Sequence, residues 1–211
     1  MYVIGDVHGK VDEYFQIVEN KKNTVQIGDF GFSSAWNKLE YSGLGKGEHW
    51  VIPGNHDDYD ICLDSSYCLG DYGTFTLDKE FFFVRGGLSI DRVYREAQRI
   101  QTHVRTWWPE EELTYGEMKD CEDRWTWSSA EILIAHCPPR SVIPRLHKDQ
   151  KILESFGFSA LFCENTSILL EEMVRKRKPK ICVFGHHHKS FDQVIHGVRY
   201  IGLAELECRE I

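Results

Sequence analysis

The chain has 211 residues, 42% of them hydrophobic, and a formal net charge of −8. That is enough chain for one substantial core in the size range of one domain. The acidic balance argues against wrapping a long nucleic acid, and no apolar stretch approaches the roughly 18–20 residues that cross a bilayer. The seven cysteines are scattered without a C-x-x-C pair, so packed, reduced thiols are expected rather than a disulfide framework. With no basic leader ahead of an apolar run, the expectation is a cytoplasmic protein without a membrane partner; the oligomeric state stays open.

In chain order, a short apolar strand at 2–4 precedes a helix over 10–20, whose Val11, Tyr14, Phe15 and Val18 recur at helical spacing. A strand at 24–28, a loop, and a strand at 49–53 follow. Tyr67 to Leu77 and Phe81 to Arg85 read as a hairpin ending at Gly86-Gly87. Residues 91–130 interrupt this order with Arg92, Arg95, Arg99, Arg105, Trp107, Trp108, Trp125 and Trp127. They read as a self-packing accessory segment, either a structural flap or a substrate-shaping lid, with a helix start at Pro109-Glu110-Glu111-Glu112. A strand at 131–135, a helix over 166–177 closed by Arg175-Lys176-Arg177-Lys178, a strand at 180–184 and two short strands around Gly197 complete the chain. Alternating β and α at the front with hairpins behind suggests an α/β sandwich over a single domain, 1–211.

Five of the apolar runs deliver a metal-ligand type beside a glycine or proline. They lead into Gly5-Asp6-Val7-His8-Gly9, Gly28-Asp29, Pro53-Gly54-Asn55-His56-Asp57, His136, and Gly185-His186-His187-His188. Ligands gather beyond the carboxyl ends of strands in open α/β sheets, so Asp6, His8, Asp29, Asn55, His136, His186 and His188 should share one rim. In extended backbone, residues two apart point the same way. On that basis Asp6 pairs with His8 and His186 with His188, while His187 points elsewhere. Seven side chains exceed the needs of one ion and suit two ions sharing a carboxylate. Asp, Asn and His without thiolate favour Mn, Fe, Zn or Co.

These blocks, in this order from position 5 to 188, resemble the calcineurin-like metallophosphoesterase superfamily, whose motifs are GD-x-HG, GD, GNH-D/E, H and GH-x-H. The resemblance implies a four-layer α/β/β/α sandwich of two mixed sheets flanked by helices. It implies two divalent or trivalent transition-metal ions, with manganese the first expectation. Asp6, His8, Asp29 and His188 would hold one ion; Asp29 as bridge, Asn55, His136 and His186 would hold the other. The implied activity is hydrolysis of a phosphoester, monoester or diester, by water activated at the ions, with His56 as general acid.

The chain departs from the protein Ser/Thr phosphatase branch of that superfamily. Phe30-Gly31-Phe32-Ser33-Ser34 follows Asp29 where that branch has an Asp and an Arg, and Asp57 replaces its Glu. Asp57 is then a candidate for orienting His56 or for capping a turn, and Arg92 and Arg95 are candidates for gripping phosphate beside Asn55. The Gly86 to Arg92 and Trp107 to Glu111 segments are similar to those of small bacterial and phage members. Small phosphoesters are the expected substrates. The alternatives are a protein Ser/Thr phosphatase and, in another class, a non-catalytic metal-dependent scaffold of the same fold.

Overall fold

The computed structural model describes residues 1–146 and 164–211. Along them run β1 (Tyr2–Ile4), α1 (Val11–Val18), β2 (Thr24–Gln26), α2 (Ser33–Glu40), β3 (His49–Val51), β4 (Tyr72–Thr76) and β5 (Glu80–Val84). Then come α3 (Arg92–Thr102), α4 (Tyr115–Trp127), β6 (Ile132–Ala135), α5 (Ile143–Leu146), α6 (Asn165–Lys176), β7 (Ile181–Phe184), β8 (Phe191–Ile195), β9 (Val198–Gly202) and β10 (Cys208–Glu210). One sheet has the order β10-β1-β2-β3 and the other β4-β5-β6-β7-β9-β8. Both are mixed: β1, β2 and β3 run parallel with β10 antiparallel to β1, and β5, β6, β7 and β9 run parallel between antiparallel edges.

Period-two alternation sorts the apolar side chains into three cores. Phe81, Phe83, Ile132, Ile134 and Val183 face the other sheet, where they meet Val3, Val25 and Ile27. Their neighbours Phe82, Val84, Leu133, Ala135, Cys182 and Phe184 face outward under α4 and α6, against Trp125, Leu170 and Met173. Ile4 and Val51 face α1 and α2 on the opposite side, with Val11, Tyr14, Trp36 and Leu39. Strands buried on both faces read as continuous apolar runs. The result is a four-layer α/β/β/α sandwich.

Three elements depart from the sequence reading. A loop was expected where α2 forms; α2 buries Ala35, Trp36 and Leu39, and Trp36 Nε1 donates to Asp57 Oδ1 at 2.9 Å. The run is too short and too polar elsewhere for its period to stand out. Strand β10 was not expected; a three-residue segment gains its identity only by pairing with β1. The helix expected from Pro109 is a 3₁₀ turn over Pro109–Glu111. The α-helix begins at Tyr115, where Thr114 and Glu117 form a capping box.

The tryptophans of the accessory segment do not pack on one another. Trp108 joins the core under α1 and α2, near Phe32, while Trp125 joins the core under α4 and α6, against Phe82. Trp127 is exposed, and α3 buries no residue. The six cysteines of the described residues are free thiols. No helix among the described residues is long and apolar enough to cross a membrane.

Candidate metal centre

The loops after β1, β2, β3, β6 and β7 meet at one rim, because parallel strands of adjacent registers end at the same height. Asp6, Asp29, Asn55 and His136 are buried there, with His8 and His186 half-buried and His188 exposed. Asp6, His8, Asp29 and His188 form one convergent group of possible metal ligands, and Asp29, His136 and His186 form another. Asp29 presents Oδ2 to His8 Nε2 at 3.8 Å and Oδ1 to His136 Nε2 at 3.4 Å. His188 Nε2 lies 3.0 Å from Asp6 Oδ2 and 2.8 Å from His8 Nε2. His186 Nδ1 lies 3.2 Å from His136 Nε2, and Asn55 Oδ1 is 2.9 Å from that same nitrogen.

Extended backbone does not arrange these residues. His8, Asp29, His186 and His188 have φ values of 49°, 54°, 62° and 51°, in the left-handed region that non-glycine residues seldom occupy. The alternation expected for His186 and His188 is therefore corrected. Consecutive left-handed turns send His186 to the His136 group and His188 to the Asp6 group. Such backbone persists where surrounding structure over-determines it, and here it does. Val7 and His8 N–H groups donate to the Asp29 carbonyl at 3.0 and 2.7 Å, and the His186 N–H donates to Asp6 at 3.2 Å. The loops approach so closely that a methyl at Gly54 would run into Asp29, and one at Gly185 into Asp6.

The donor chemistry fits cations. His136 Nδ1 sits 2.9 Å from the Ile27 carbonyl, so Nδ1 carries the proton and Nε2 presents its lone pair to the cluster. Asn55 Nδ2 donates to Ser89 Oγ at 3.1 Å, which turns the amide oxygen towards His136. Lone pairs from His136 Nε2, Asn55 Oδ1 and Asp29 Oδ1 thus converge, an arrangement that positive charge would relieve. Although burial pushes Asp29 upward, His136, His56, His8 and His186 hold its carboxyl well below the usual range. Burial opposes charge on His186, yet Glu164, Asp29 and Asp6 raise its pKa to about 9.

His56 stands beside both groups without belonging to either. Its backbone N–H donates to Asp29 Oδ1 at 2.7 Å, Asn55 Nδ2 lies 3.2 Å from its Nε2, and its buried Nδ1 has no hydrogen-bond partner. Burial pushes its pKa to about 4, against the pull of Asp29 and with a further push from Arg95. Asp57 does not orient it. Both Asp57 oxygens face backward, accepting from Gly31 N and Trp36 Nε1 at 2.9 Å and from Gly54 N at 2.7 Å. A fully buried carboxylate satisfies itself with the nearest N–H donors, and here these belong to the loops it braces. Arg95 is held by Asp91 at 2.8 Å and by the Thr106 carbonyl at 3.3 Å, within electrostatic reach of His56. Arg92 is exposed, and among the described residues its side chain makes no hydrogen bond to the cluster.

Three supporting residues escaped the sequence reading. Ser89, which holds Asn55, is itself held by Glu111 through Oγ at 2.6 Å and N at 2.9 Å. Burial raises the Glu111 pKa to about 7. Glu164 lies behind His186, with Oε2 3.5 Å from Nε2. Ser89 and Glu111 sit in segments whose motifs stand out, but nothing in the sequence around Glu164 signals its place. His187 sets its ring edge-on to that of His186 at 4.9 Å between centroids and belongs to neither ligand group. His187→Ala should therefore keep most activity and bound metal, whereas His186→Ala and His188→Ala each lose most of theirs. Metal analysis and initial rates on the three variants check this; equal losses in all three would reject the assignment.

A family model described as calcineurin-like phosphoesterase matches residues 1–190. No match is found among the curated proteins. Among solved structures, phosphopantetheinyl hydrolase from Mycobacterium tuberculosis is similar with a TM-score of 0.59 at 14% identity, over 97% of this chain and 89% of that one. A candidate 5′-nucleotidase from Staphylococcus aureus is similar with a TM-score of 0.50 at 13% identity, over 97% of this chain but only 48% of that one. These two likenesses concern the fold, whereas the family match spans the loops that carry the ligands. The chain belongs to the calcineurin-like phosphoesterase family and is a metal-dependent phosphoesterase.

Proposed function

We propose that the rim holds two transition-metal ions bridged by Asp29, and that it hydrolyses small phosphoesters with His56 as the proton donor. The observation that carries this reading is that two convergent donor groups, Asp6, His8, Asp29 and His188 on one side and Asp29, His136 and His186 on the other, share one carboxylate. Asp6, His8 and His188 would serve one ion, and Asn55, His136 and His186 the other. When bound, such ions lower the pKa of water and neutralise charge on the oxygens of the phosphoryl group. Manganese is the first choice, and iron, zinc and cobalt suit the same nitrogen and oxygen donors.

The chain's own residues supply the rest. Asn55 keeps its oxygen towards the second group because Ser89 and Glu111 hold its amide. His56 is tethered through its backbone N–H to Asp29 and its side chain joins neither ligand group, so its ring would stand beside a bound phosphoester rather than on an ion. A phosphoester's negative charge beside it would favour the protonated, donating imidazole. Arg95 adds positive charge on the same side. Arg92, exposed on the first turn of α3, is the weaker candidate for phosphate contact.

The test uses metal-free protein reloaded with Mn, Fe, Zn, Co or Mg and assayed on p-nitrophenyl phosphate and its bis-ester. The expected result is no turnover without metal, restoration by at least one ion, and two ions per chain at full activity. The ratio of the two rates separates monoesterase from diesterase. Two tightly bound ions with no turnover on either ester would favour the non-catalytic scaffold reading. Full activity in the metal-free protein would end the metal-dependent one.

A further inference from the structure

Glu164 is a buried carboxylate ahead of the first turn of α6, a position where acidic side chains commonly serve the helix itself. It does not do so here. No side-chain cap hydrogen bond joins Glu164 to the helix backbone. Its Oε2 instead accepts from the Leu88 N–H at 3.0 Å and lies 3.5 Å from His186 Nε2, while its Oε1 accepts from Ser167 Oγ at 2.6 Å. Two donors thus hold the carboxylate, and the His186 imidazole and the Cys137 thiol lie against its remaining side.

His186 has two ring nitrogens with different surroundings. Nδ1 points to His136 Nε2 and Asp29 in the ligand cluster, and Nε2 points away from it, to Glu164. A neutral imidazole carries one proton, and the acceptor it meets selects the nitrogen that keeps it. With a carboxylate on Nε2, the proton stays there and Nδ1 is left with its lone pair facing the cluster. Cys137 makes a further convergent group with the same pair, and its Sγ donates to the Gly86 carbonyl at 3.2 Å.

We infer that Glu164 is a positioning residue for the second metal ion, holding His186 by its Nε2–H so that Nδ1 is presented as the ligand atom. This rests on the proposal that His136 and His186 hold an ion. Carboxylates behind ligating histidines fix the tautomer and ring orientation and raise ligand basicity, and their loss commonly costs about 10–100-fold in metal affinity. The effect should be selective, because Glu164 touches no member of the Asp6, His8 and His188 group.

The experiment measures Zn binding by chelator competition on the whole protein, comparing wild type, Glu164→Ala and Glu164→Gln. Glu164→Ala should weaken one ion by about 10–100-fold and leave the other within about twofold. Glu164→Gln can keep an oxygen towards Leu88 and His186 and turn its amide nitrogen to Ser167 Oγ, which can accept. Having lost only the charge, it should fall between wild type and Ala. In the Zn-loaded wild type, ¹⁵N NMR of the imidazoles should show His186 protonated at Nε2 with slow solvent exchange, and that protection should drop in Glu164→Ala. If Ala does not fold, Gln carries the test: wild-type affinity for both ions and an unchanged N–H would overturn the assignment. Equal weakening of both ions in either variant would do the same, since it makes Glu164 a general support of the loops. None of these readouts uses turnover. Selective ion loss in a protein that hydrolyses no phosphoester would leave this assignment standing and remove the catalytic reading. A wild type whose single bound ion leaves the His186 imidazole signals unshifted would remove the dinuclear reading and this assignment with it.

Discussion

Asp29→Asn should strip the protein of both ions together and reduce phosphoester hydrolysis by on the order of 10³-fold or more. Loss of a single preorganised electrostatic group already costs about 10²–10³-fold in other enzymes, and here one carboxylate belongs to both candidate ligand groups. The His56 N–H donates to Asp29 Oδ1, so an asparagine would keep its oxygen at that position. Its NH₂ group would then face His8, where Oδ2 stood at 3.8 Å from Nε2. The Asp6, His8 and His188 group would meet a donor in place of a ligand, and the His136 group would lose negative charge. Metal content and kcat measured on the same preparation check the result. His8→Ala, by contrast, should deplete mainly one ion. Two ions fully retained in Asp29→Asn would remove the bridging assignment.

The second large effect concerns His56. Its side chain belongs to neither ligand group, and its Nδ1 has no partner. His56→Ala should therefore keep metal content near wild type while slowing release of poor leaving groups. A positioned proton donor contributes typically about 10²–10⁴-fold. An alkoxide needs that proton to leave, whereas nitrophenolate is already a stable anion. The loss should be much larger on an alkyl phosphate than on the matching p-nitrophenyl ester, in single-turnover rates with metals quantified. Equal losses on the two substrates with metals retained would point to charge stabilisation in the transition state. Loss of an ion would make His56 a ligand. Either outcome ends the proton-donor reading.

Residue types and their order along the chain carried the list of candidate ligands. Asp, His and Asn at the ends of short apolar runs are legible because strand burial demands those runs, and glycine or proline must turn the chain after them. The same period of two sorted Phe81 and Phe83 from Phe82 and Val84 into separate cores, a division the strand pattern contains in full. Helices α1 and α6 were legible for the same reason, since each shows a repeated apolar face.

What the sequence could not contain is direction. Which way His8 and His186 point depends on left-handed backbone whose N–H groups donate to the Asp29 carbonyl and to Asp6, residues far away in the chain. Asp57 looks like a neighbour of His56, yet its oxygens are claimed by Gly31, Trp36 and Gly54. Strand β10 exists because β1 has an open edge, and α2 because it covers the outer face of the four-stranded sheet. Glu164 reaches Leu88 and His186 from a stretch with no local signature, and Glu111 reaches Ser89 between two segments whose motifs stand out without saying that they meet. The sequence by itself determined the layers and the chemical kinds at the rim, because both follow from local patterns of burial and turning. Tertiary structure decided which nitrogen and which oxygen each residue offers, because buried polar atoms orient towards whatever partners the packed chain brings within reach.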